Sequence, residues 1–206
     1  MNARELSIVT IGAVLLAVSA TQGRALGIGA DMPATDVKMN NVMGGTVSLA
    51  DVKGKAGTLV IFTCNHCPFA MAWQDRMVQI ANDCLMKDVG AVFVNSNDPL
   101  AIPEDSADPM KKLAEKKGYK FPYVVDDTSA VARAFGASRT PEAFLFDAAG
   151  KLVYHGTIDD STYEPAKVTK HYLESSVEAL LGGKNIPEPE TKAVGCGIRF
   201  RSNVEK

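Results

Sequence analysis

The stretch Thr58-Leu-Val-Ile-Phe-Thr-Cys-Asn-His-Cys-Pro-Phe69 decides the fold of this chain. Its apolar, β-branched first half predicts a buried strand over residues 58–63. A segment with helical periodicity follows at about residues 67–87. Cys64 and Cys67 therefore lie where a strand gives way to a helix.

Two thiols at the start of a helix can close a small disulfide. Unpaired N–H groups and the positive end of the helix dipole favour a thiolate there, which predicts a low pKa and ready exchange for Cys64. We expect Cys64, as the more exposed thiol, to attack or accept a mixed disulfide that Cys67 then resolves. His66 lies between them: as an imidazolium it would tune the site by stabilising the Cys64 thiolate, and otherwise it is an exposed loop histidine.

Strands and helices alternate along the rest of the chain. Further strands are predicted on both sides of a Gly44-Gly45 turn and at residues 90–95, 123–125, 142–147 and 151–156. Helices are predicted from Asp108 as N-cap with Pro109 as the first helical position, from Thr128 or Ser129 to Phe135, and over residues 165–181. A strand–helix–strand unit implies a parallel strand pair, and the turn at residues 148–150 implies an antiparallel hairpin. The sequence thus predicts an α/β fold with a central mixed β-sheet and helices on both faces.

These pieces resemble the thioredoxin superfamily, and more closely its redoxin branch, related to alkyl hydroperoxide reductase and thiol-specific antioxidant proteins. The matching motifs are Cys64-Asn-His-Cys-Pro68, Phe121-Pro-Tyr-Val-Val-Asp-Asp127 and Arg139-Thr-Pro-Glu-Ala-Phe-Leu-Phe-Asp147. The resemblance implies a thioredoxin-like thiol–disulfide oxidoreductase that exchanges a Cys64–Cys67 disulfide with protein thiols. It implies that the enzyme needs neither a metal nor an organic cofactor. It also implies an upstream redox partner that resets the cysteines.

The resemblance also assigns a role to Thr140 and Pro141. It implies that the Thr140–Pro141 peptide is cis, packs beside the two cysteines and presents backbone to the substrate chain. Proline suits that position because only an X–Pro bond adopts the cis form at low cost.

Two family features are absent from the strand that precedes Cys64: the Pro and Thr at fixed spacing before the reactive cysteine that mark peroxiredoxins, and the buried acid of thioredoxins. The proton acceptor for the second thiol is therefore unassigned. Two alternative functions stay open. One is a periplasmic copper carrier that uses Cys64, Cys67 and a histidine, because thiolates and imidazole suit copper. The other is a thiol peroxidase that uses Cys64.

The remaining cysteines receive different interpretations. Cys84 falls on the apolar face of the first helix, about 30 Å from Cys64 at 1.5 Å per residue, which indicates a small buried hydrophobe. Cys196 follows a Pro-rich linker and precedes Ile198 and Phe200, so we expect a tail that docks as a short strand. Cys196 is then either a third redox cysteine, exchanging with Cys64–Cys67, or a packed cysteine, for example paired with Cys84. His155 and His171 lack partners at ligand spacing and are expected to be structural or on the surface.

The N-terminus predicts export. Residues 8–18 form an apolar run of signal-peptide length, too short to span a bilayer comfortably, and small residues follow it. We expect a signal peptide at residues 1–25, a redoxin domain at residues 26–183 and a tail at residues 184–206. The mature protein would be periplasmic, without stable membrane insertion. A net charge of −2 without a basic block argues against nucleic acid as a partner.

Overall fold

A seven-stranded mixed sheet forms the centre of the molecule. A computed structural model describes residues 26–202. The sheet has the order β2-β1-β5-β4-β3-β7-β8, with the strands β1 (Met39–Asn41), β2 (Thr46–Val47), β3 (Gly57–Phe62), β4 (Val89–Asn95), β5 (Tyr123–Val125), β7 (Glu142–Asp147) and β8 (Leu152–Gly156). A separate two-stranded sheet joins β6 (Arg139–Thr140) to β9 (Cys196–Gly197). The four α-helices within this range are α1 (Pro68–Met86), α2 (Ala107–Lys117), α3 (Ala130–Phe135) and α4 (Tyr172–Leu181).

The central strands are buried on both faces, which explains why they read as continuous apolar runs. β3 pairs in parallel with β4 and antiparallel with β7. Its residues alternate between the two sides of the sheet, as the two-residue period of a strand requires. Leu59 and Ile61 enter one apolar cluster, and Val60 and Phe62 enter the other.

Helices cover both faces of the sheet. α1, α2 and α4 contribute Met77, Met110 and Leu173 to the cluster on one face. α3 contributes Val131 and Phe135 to the cluster on the other face. The predicted fold class, a mixed β-sheet with helices on both faces, is confirmed.

Two helix starts differ from the sequence prediction. α2 has Ser106 as its N-cap, because a 3₁₀ turn at Pro103–Asp105 runs directly into the helix. Asp108 therefore lies in the first turn, where its charge meets the positive end of the helix dipole. α4 begins at Tyr172 rather than residue 165, since the Asp160 carboxylate accepts hydrogen bonds from the backbone N–H and the hydroxyl of Thr169. Residues Pro165–Lys167 form a separate 3₁₀ turn, and the chain between that turn and α4 is not helical.

The predicted signal peptide at residues 1–25 lies outside the described residues. Within residues 26–202, no helix combines the length and the apolar character needed to cross a membrane.

Candidate active site

The two cysteines of the Cys64-Asn-His-Cys67 motif meet Thr140 in the interior of the molecule. Cys64 Sγ lies 3.1 Å from Thr140 Oγ1, and Cys67 Sγ lies 3.1 Å from the Thr140 carbonyl oxygen. The Thr140–Pro141 peptide is cis, as predicted. Both cysteines are buried, with 1% of Cys64 and 0% of Cys67 exposed. Burial therefore does not distinguish the two thiols, and the expectation that Cys64 is the more exposed one stays a prediction.

The two thiols differ in their position relative to the start of α1 and in their pKa values. Cys67, not Cys64, is the N-cap of α1, which begins at Pro68. Hydrogen bonding from the Cys64 thiol, followed by interactions with Cys196 and the Ala70 N–H, lowers the pKa of Cys67 to about 4. Hydrogen bonding to Cys67 and burial raise the pKa of Cys64. The thiolate is thus favoured at the second cysteine, chiefly by the hydrogen bond from Cys64, whereas the sequence predicts the low pKa for Cys64.

A buried carboxylate, Asp105, organises the residues between the cysteines. Asp105 Oδ1 accepts the Asn65 N–H at 2.6 Å, and Oδ2 lies 2.8 Å from His66 Nδ1. Oδ2 also accepts a hydrogen bond from Asn97 Nδ2 at 2.8 Å. The Asp105 side chain is fully buried, whereas that of His66 is 31% exposed. The histidine between the thiols is therefore held by an acid from the turn that precedes α2.

Tyr123 supports the same loop from the sheet. Its hydroxyl donates a hydrogen bond to Asn65 Oδ1 at 3.0 Å, and burial raises its pKa well above the ordinary value. A neutral phenol can keep donating this hydrogen bond at any physiological pH. Asn65 is thus held on both its backbone and its side chain.

The C-terminal tail brings a third sulfur into the site. Cys196 Sγ lies 2.6 Å from Cys67 Sγ, and Cys196 is half-buried. β9 pairs antiparallel with β6, with Thr140 opposite Cys196. The tail therefore occupies the backbone edge that the resemblance assigns to a substrate chain. The suggested pairing of Cys196 with Cys84 is wrong: both are free cysteines, and Cys196 packs against Cys64 and Cys67 whereas Cys84 belongs to a different apolar cluster.

Gly195 permits this close approach. A Cβ at position 195 would lie 2.2 Å from the Thr140 carbonyl oxygen, so the tail strand could not remain in place beside β6. Beyond Cys196, the Ile198 N–H donates to the Ser138 carbonyl oxygen at 3.0 Å, and Ile198 itself is buried. The tail docks through a short strand, as predicted, but Ile198 alone is buried, whereas Phe200 is 39% exposed.

A buried acid also supports the segment that carries Thr140. Glu142 Oε2 accepts the backbone N–H groups of Ser138 and Arg139, each at 2.8 Å. Glu142 Oε1 lies 2.7 Å from His155 Nε2, and both side chains are buried. His155 is thus structural, as expected, and it acts on the site through Glu142.

The other sequence candidates lie away from the sulfurs. Cys84 is fully buried, and burial raises its pKa to about 12, which agrees with its interpretation as a small hydrophobe. His171 is exposed and pairs with Glu174 at 3.2 Å.

The strand–CxxC–helix arrangement beside a cis-proline loop has counterparts among known proteins. The model of the AhpC/TSA family matches residues 28–155, more than half of the chain. This chain belongs to the AhpC/TSA family. The redoxin resemblance inferred from its sequence motifs is confirmed.

Relatives of this AhpC/TSA protein agree with the assignment. The chain is 27% identical over 149 residues to the thiol–disulfide oxidoreductase ResA of Geobacillus thermodenitrificans, covering 71% of this chain and 79% of the relative. The relative's name agrees with the enzyme class predicted from the sequence.

Two solved structures resemble the whole domain. An uncharacterised conserved protein from Geobacillus kaustophilus is 40% identical with a TM-score of 0.81, covering 88% of this chain and 96% of that one. A hypothetical protein from Sinorhizobium meliloti is 32% identical with a TM-score of 0.80, covering 88% of this chain and 99% of that one. The thioredoxin-like fold of this AhpC/TSA protein is also shared by more distant disulfide oxidoreductases.

Asp105 is a residue of the site that the sequence motifs did not predict. Asp105 contacts Asn65 across forty positions of the chain, and it follows Pro103 and Glu104 in a loop without periodicity. Its carboxylate lies within 4.8 Å of Cys64 Sγ, although residues 58–63 contain no acid. A buried acid beside the cysteines is thus present in the fold although the motif for it is not.

Proposed function

We propose that this AhpC/TSA protein is an exported thiol–disulfide oxidoreductase that exchanges a Cys64–Cys67 disulfide with protein thiols. In this proposal one cysteine forms the mixed disulfide and the other resolves it. Thr140 and Pro141 shape the site, His66 tunes it, and a separate redox partner resets the cysteines. The enzyme works in the periplasm after removal of residues 1–25.

One observation carries the proposal: both sulfurs of the CxxC motif lie 3.1 Å from atoms of Thr140, beside a cis-proline. A buried thiol pair at a helix start with one depressed pKa is suited to exchange, because the thiolate is the reactive form. Lowering the pKa of Cys67 also makes its sulfur a better leaving group when a disulfide is attacked.

Insulin disulfide reduction by the full chain, with dithiothreitol as electron source, tests the activity. We expect Cys67→Ala to abolish the acceleration over dithiothreitol alone. Cys84→Ala is the matched control, because it removes a buried thiol that does not belong to the cluster of Cys64, Cys67 and Cys196, and it should leave the rate unchanged. An unaccelerated rate with the wild-type protein would contradict the proposal.

Cell fractionation with N-terminal sequencing tests the proposed export. We expect the protein in the periplasmic fraction, with its N-terminus close to residue 26. Cytoplasmic protein that begins at Met1 would contradict this part of the proposal and leave the exchange activity untouched.

A copper carrier is the second candidate. One donor atom each from Cys64, His66 and Asp105 lie within 4.8 Å of one another. Thiolate and imidazole suit Cu(I), although a carboxylate suits it less well. Stoichiometric copper retained through dialysis, together with absent insulin reduction, would favour this function. A peroxide-consumption assay with the same protein tests the thiol peroxidase alternative.

A further inference from the structure

Burial separates the three sulfurs of the site by their access to solvent. Cys64 and Cys67 are 1% and 0% exposed, and Cys196 is half-buried at the surface. Thiol–disulfide exchange requires an incoming sulfur to reach the sulfur that it attacks. A protein substrate therefore meets Cys196 before it can meet either cysteine of the CxxC motif.

The tail holds Cys196 in this position by contacts on both sides. Before it, the Thr191 N–H donates to the His155 carbonyl oxygen at 2.9 Å. After it, the Arg199 N–H donates to Asn97 Oδ1 at 2.7 Å, and Ile198 packs into the core. Cys196 thus lies on an ordered strand with its sulfur 2.6 Å from Cys67 Sγ.

We propose that Cys196 is the sulfur through which substrates exchange with this enzyme, and that a Cys67–Cys196 disulfide is a working state of the site. This inference rests on the proposed thiol–disulfide exchange and names the atom at which that exchange begins. The buried pair Cys64–Cys67 then exchanges with Cys196 inside the protein and not with the substrate directly.

The oxidation of a substrate dithiol balances in two displacements. A substrate thiolate attacks Cys196 Sγ, the substrate–Cys196 bond forms, the Cys67–Cys196 bond breaks, and Cys67 leaves as a thiolate. The second substrate thiolate attacks the substrate sulfur of this mixed disulfide, and Cys196 leaves and takes a proton. The substrate is oxidised to its disulfide by two electrons, and the protein pair is reduced.

Internal transfer connects this step to the CxxC motif. In the Cys64–Cys67 disulfide state, the Cys196 thiolate attacks Cys67 Sγ, forms the Cys67–Cys196 bond and releases Cys64, which takes a proton. A disulfide-bearing protein reoxidises the enzyme by the reverse of the substrate steps, again through Cys196. The same steps run backwards reduce a substrate disulfide, with a dithiol protein as the electron source.

The pKa values of Cys196 and Cys67 differ in the direction that these exchange steps need. Burial, followed by hydrogen bonding to Cys67, raises the pKa of Cys196 to about 11, whereas the pKa of Cys67 is depressed. When a thiolate attacks the Cys67–Cys196 disulfide, the sulfur with the lower pKa leaves faster. Attack at the accessible Cys196 with departure of Cys67 is therefore favoured by access and by leaving-group chemistry together.

Trapping the mixed disulfide locates the entry sulfur. The Cys67→Ala protein is incubated with glutathione disulfide, alkylated and mapped by mass spectrometry. This variant lacks the resolving thiol next to Cys196, so we expect glutathione on Cys196. Glutathione on Cys64 instead would overturn the inference.

Rates of insulin reduction give the second test. We expect Cys196→Ala to slow the full chain by about tenfold or more, since a buried pair must then be reached directly. Cys84→Ala should keep the wild-type rate. An unchanged or faster rate in Cys196→Ala overturns the inference and leaves the proposed function standing, whereas a wild-type protein that reduces no insulin contradicts the proposed function itself.

Discussion

At the scale of single residues, Asp105 is a fully buried carboxylate within 4.8 Å of Cys64 Sγ. It accepts hydrogen bonds from Asn65 and Asn97, pairs with His66, and its charge is one cause of the raised Cys64 pKa. A carboxylate in this place opposes a second negative charge at Cys64. It therefore helps to keep the proton on Cys64 while Cys67 carries the thiolate.

We expect Asp105→Asn to lower the pKa of Cys64, because the substitution removes the negative charge that disfavours its thiolate. Alkylation of reduced protein followed by peptide mapping should show Cys64 labelled at lower pH than in the wild type. The variant should lose about 1–3 kcal/mol of unfolding free energy, since an amide cannot accept every hydrogen bond that the carboxylate accepts.

Asp36→Asn is the control for this change, because Asp36 is exposed and lies outside the site. It should alter neither the Cys64 labelling profile nor the unfolding free energy. A Cys64 profile that moves to higher pH in Asp105→Asn would contradict the electrostatic role.

A second residue-level prediction concerns the depressed pKa of Cys67. Hydrogen bonding from Cys64 is its largest cause, so Cys64→Ala should raise the pKa of Cys67 from about 4 towards the ordinary cysteine value. Ultraviolet thiolate absorbance of the reduced protein, followed against pH, measures the midpoint. Cys84→Ala should keep the acidic midpoint, and an acidic midpoint retained in Cys64→Ala would show that the helix start suffices without Cys64.

At the level of elements, β9 is held against β6 by a contact that only glycine permits. Gly195→Ala would put a Cβ 2.2 Å from the Thr140 carbonyl oxygen, whereas a Cβ at Gly197 meets nothing within 4 Å. We expect Gly195→Ala to displace β9 and to suppress the Cys67–Cys196 disulfide in mass maps of oxidised protein. Gly197→Ala is the matched control and should form that disulfide as the wild type does. Equal disulfide yields in the two variants would contradict this account of the tail.

The elements themselves were largely predictable because local signals define them. The apolar runs of β3 and β4 and the glycines that end α2 and α3 are visible in the sequence, and the structure follows them. The start of α4 was not predictable, since it depends on a side-chain contact from Asp160 to Thr169 in a preceding loop. Hydrophobic periodicity shows which face of a helix or strand is buried. It does not show a hydrogen bond from one loop residue to the side chain of another.

For the molecule as a whole, the tail is part of the folded body. Thr191 contacts β8 through His155, Ile198 enters the core, and the Arg201 N–H donates to Ser129 Oγ at 2.9 Å. The sequence places a boundary between residues 183 and 184 by composition, and that boundary stays a prediction. Cys67 and Cys196 are 129 positions apart in the sequence, and nothing in a single sequence indicates that two residues so far apart along the chain are in contact.

Removing the tail after Gly183 should leave a folded but less stable domain. Loss of Ile198 burial, worth about 1.5–3 kcal/mol, and of several net hydrogen bonds should lower the unfolding free energy by about 3–5 kcal/mol. Denaturant unfolding of the reduced proteins measures the difference, and Ile198→Ala should reproduce part of it. An unchanged midpoint in the truncated protein would show that the tail adds nothing to the fold.

The unequal burial of the cysteines also allows the rate at which the native protein opens to be measured from its own thiols. Of the four cysteines, Cys64, Cys67 and Cys84 are shielded, and Cys196 alone is half-buried. A bulky maleimide added to reduced protein should consume one equivalent promptly and the other three only as the fold opens. The lag between the first and the later equivalents then reports the rate of the opening motions that expose the buried cysteines, without any engineered label.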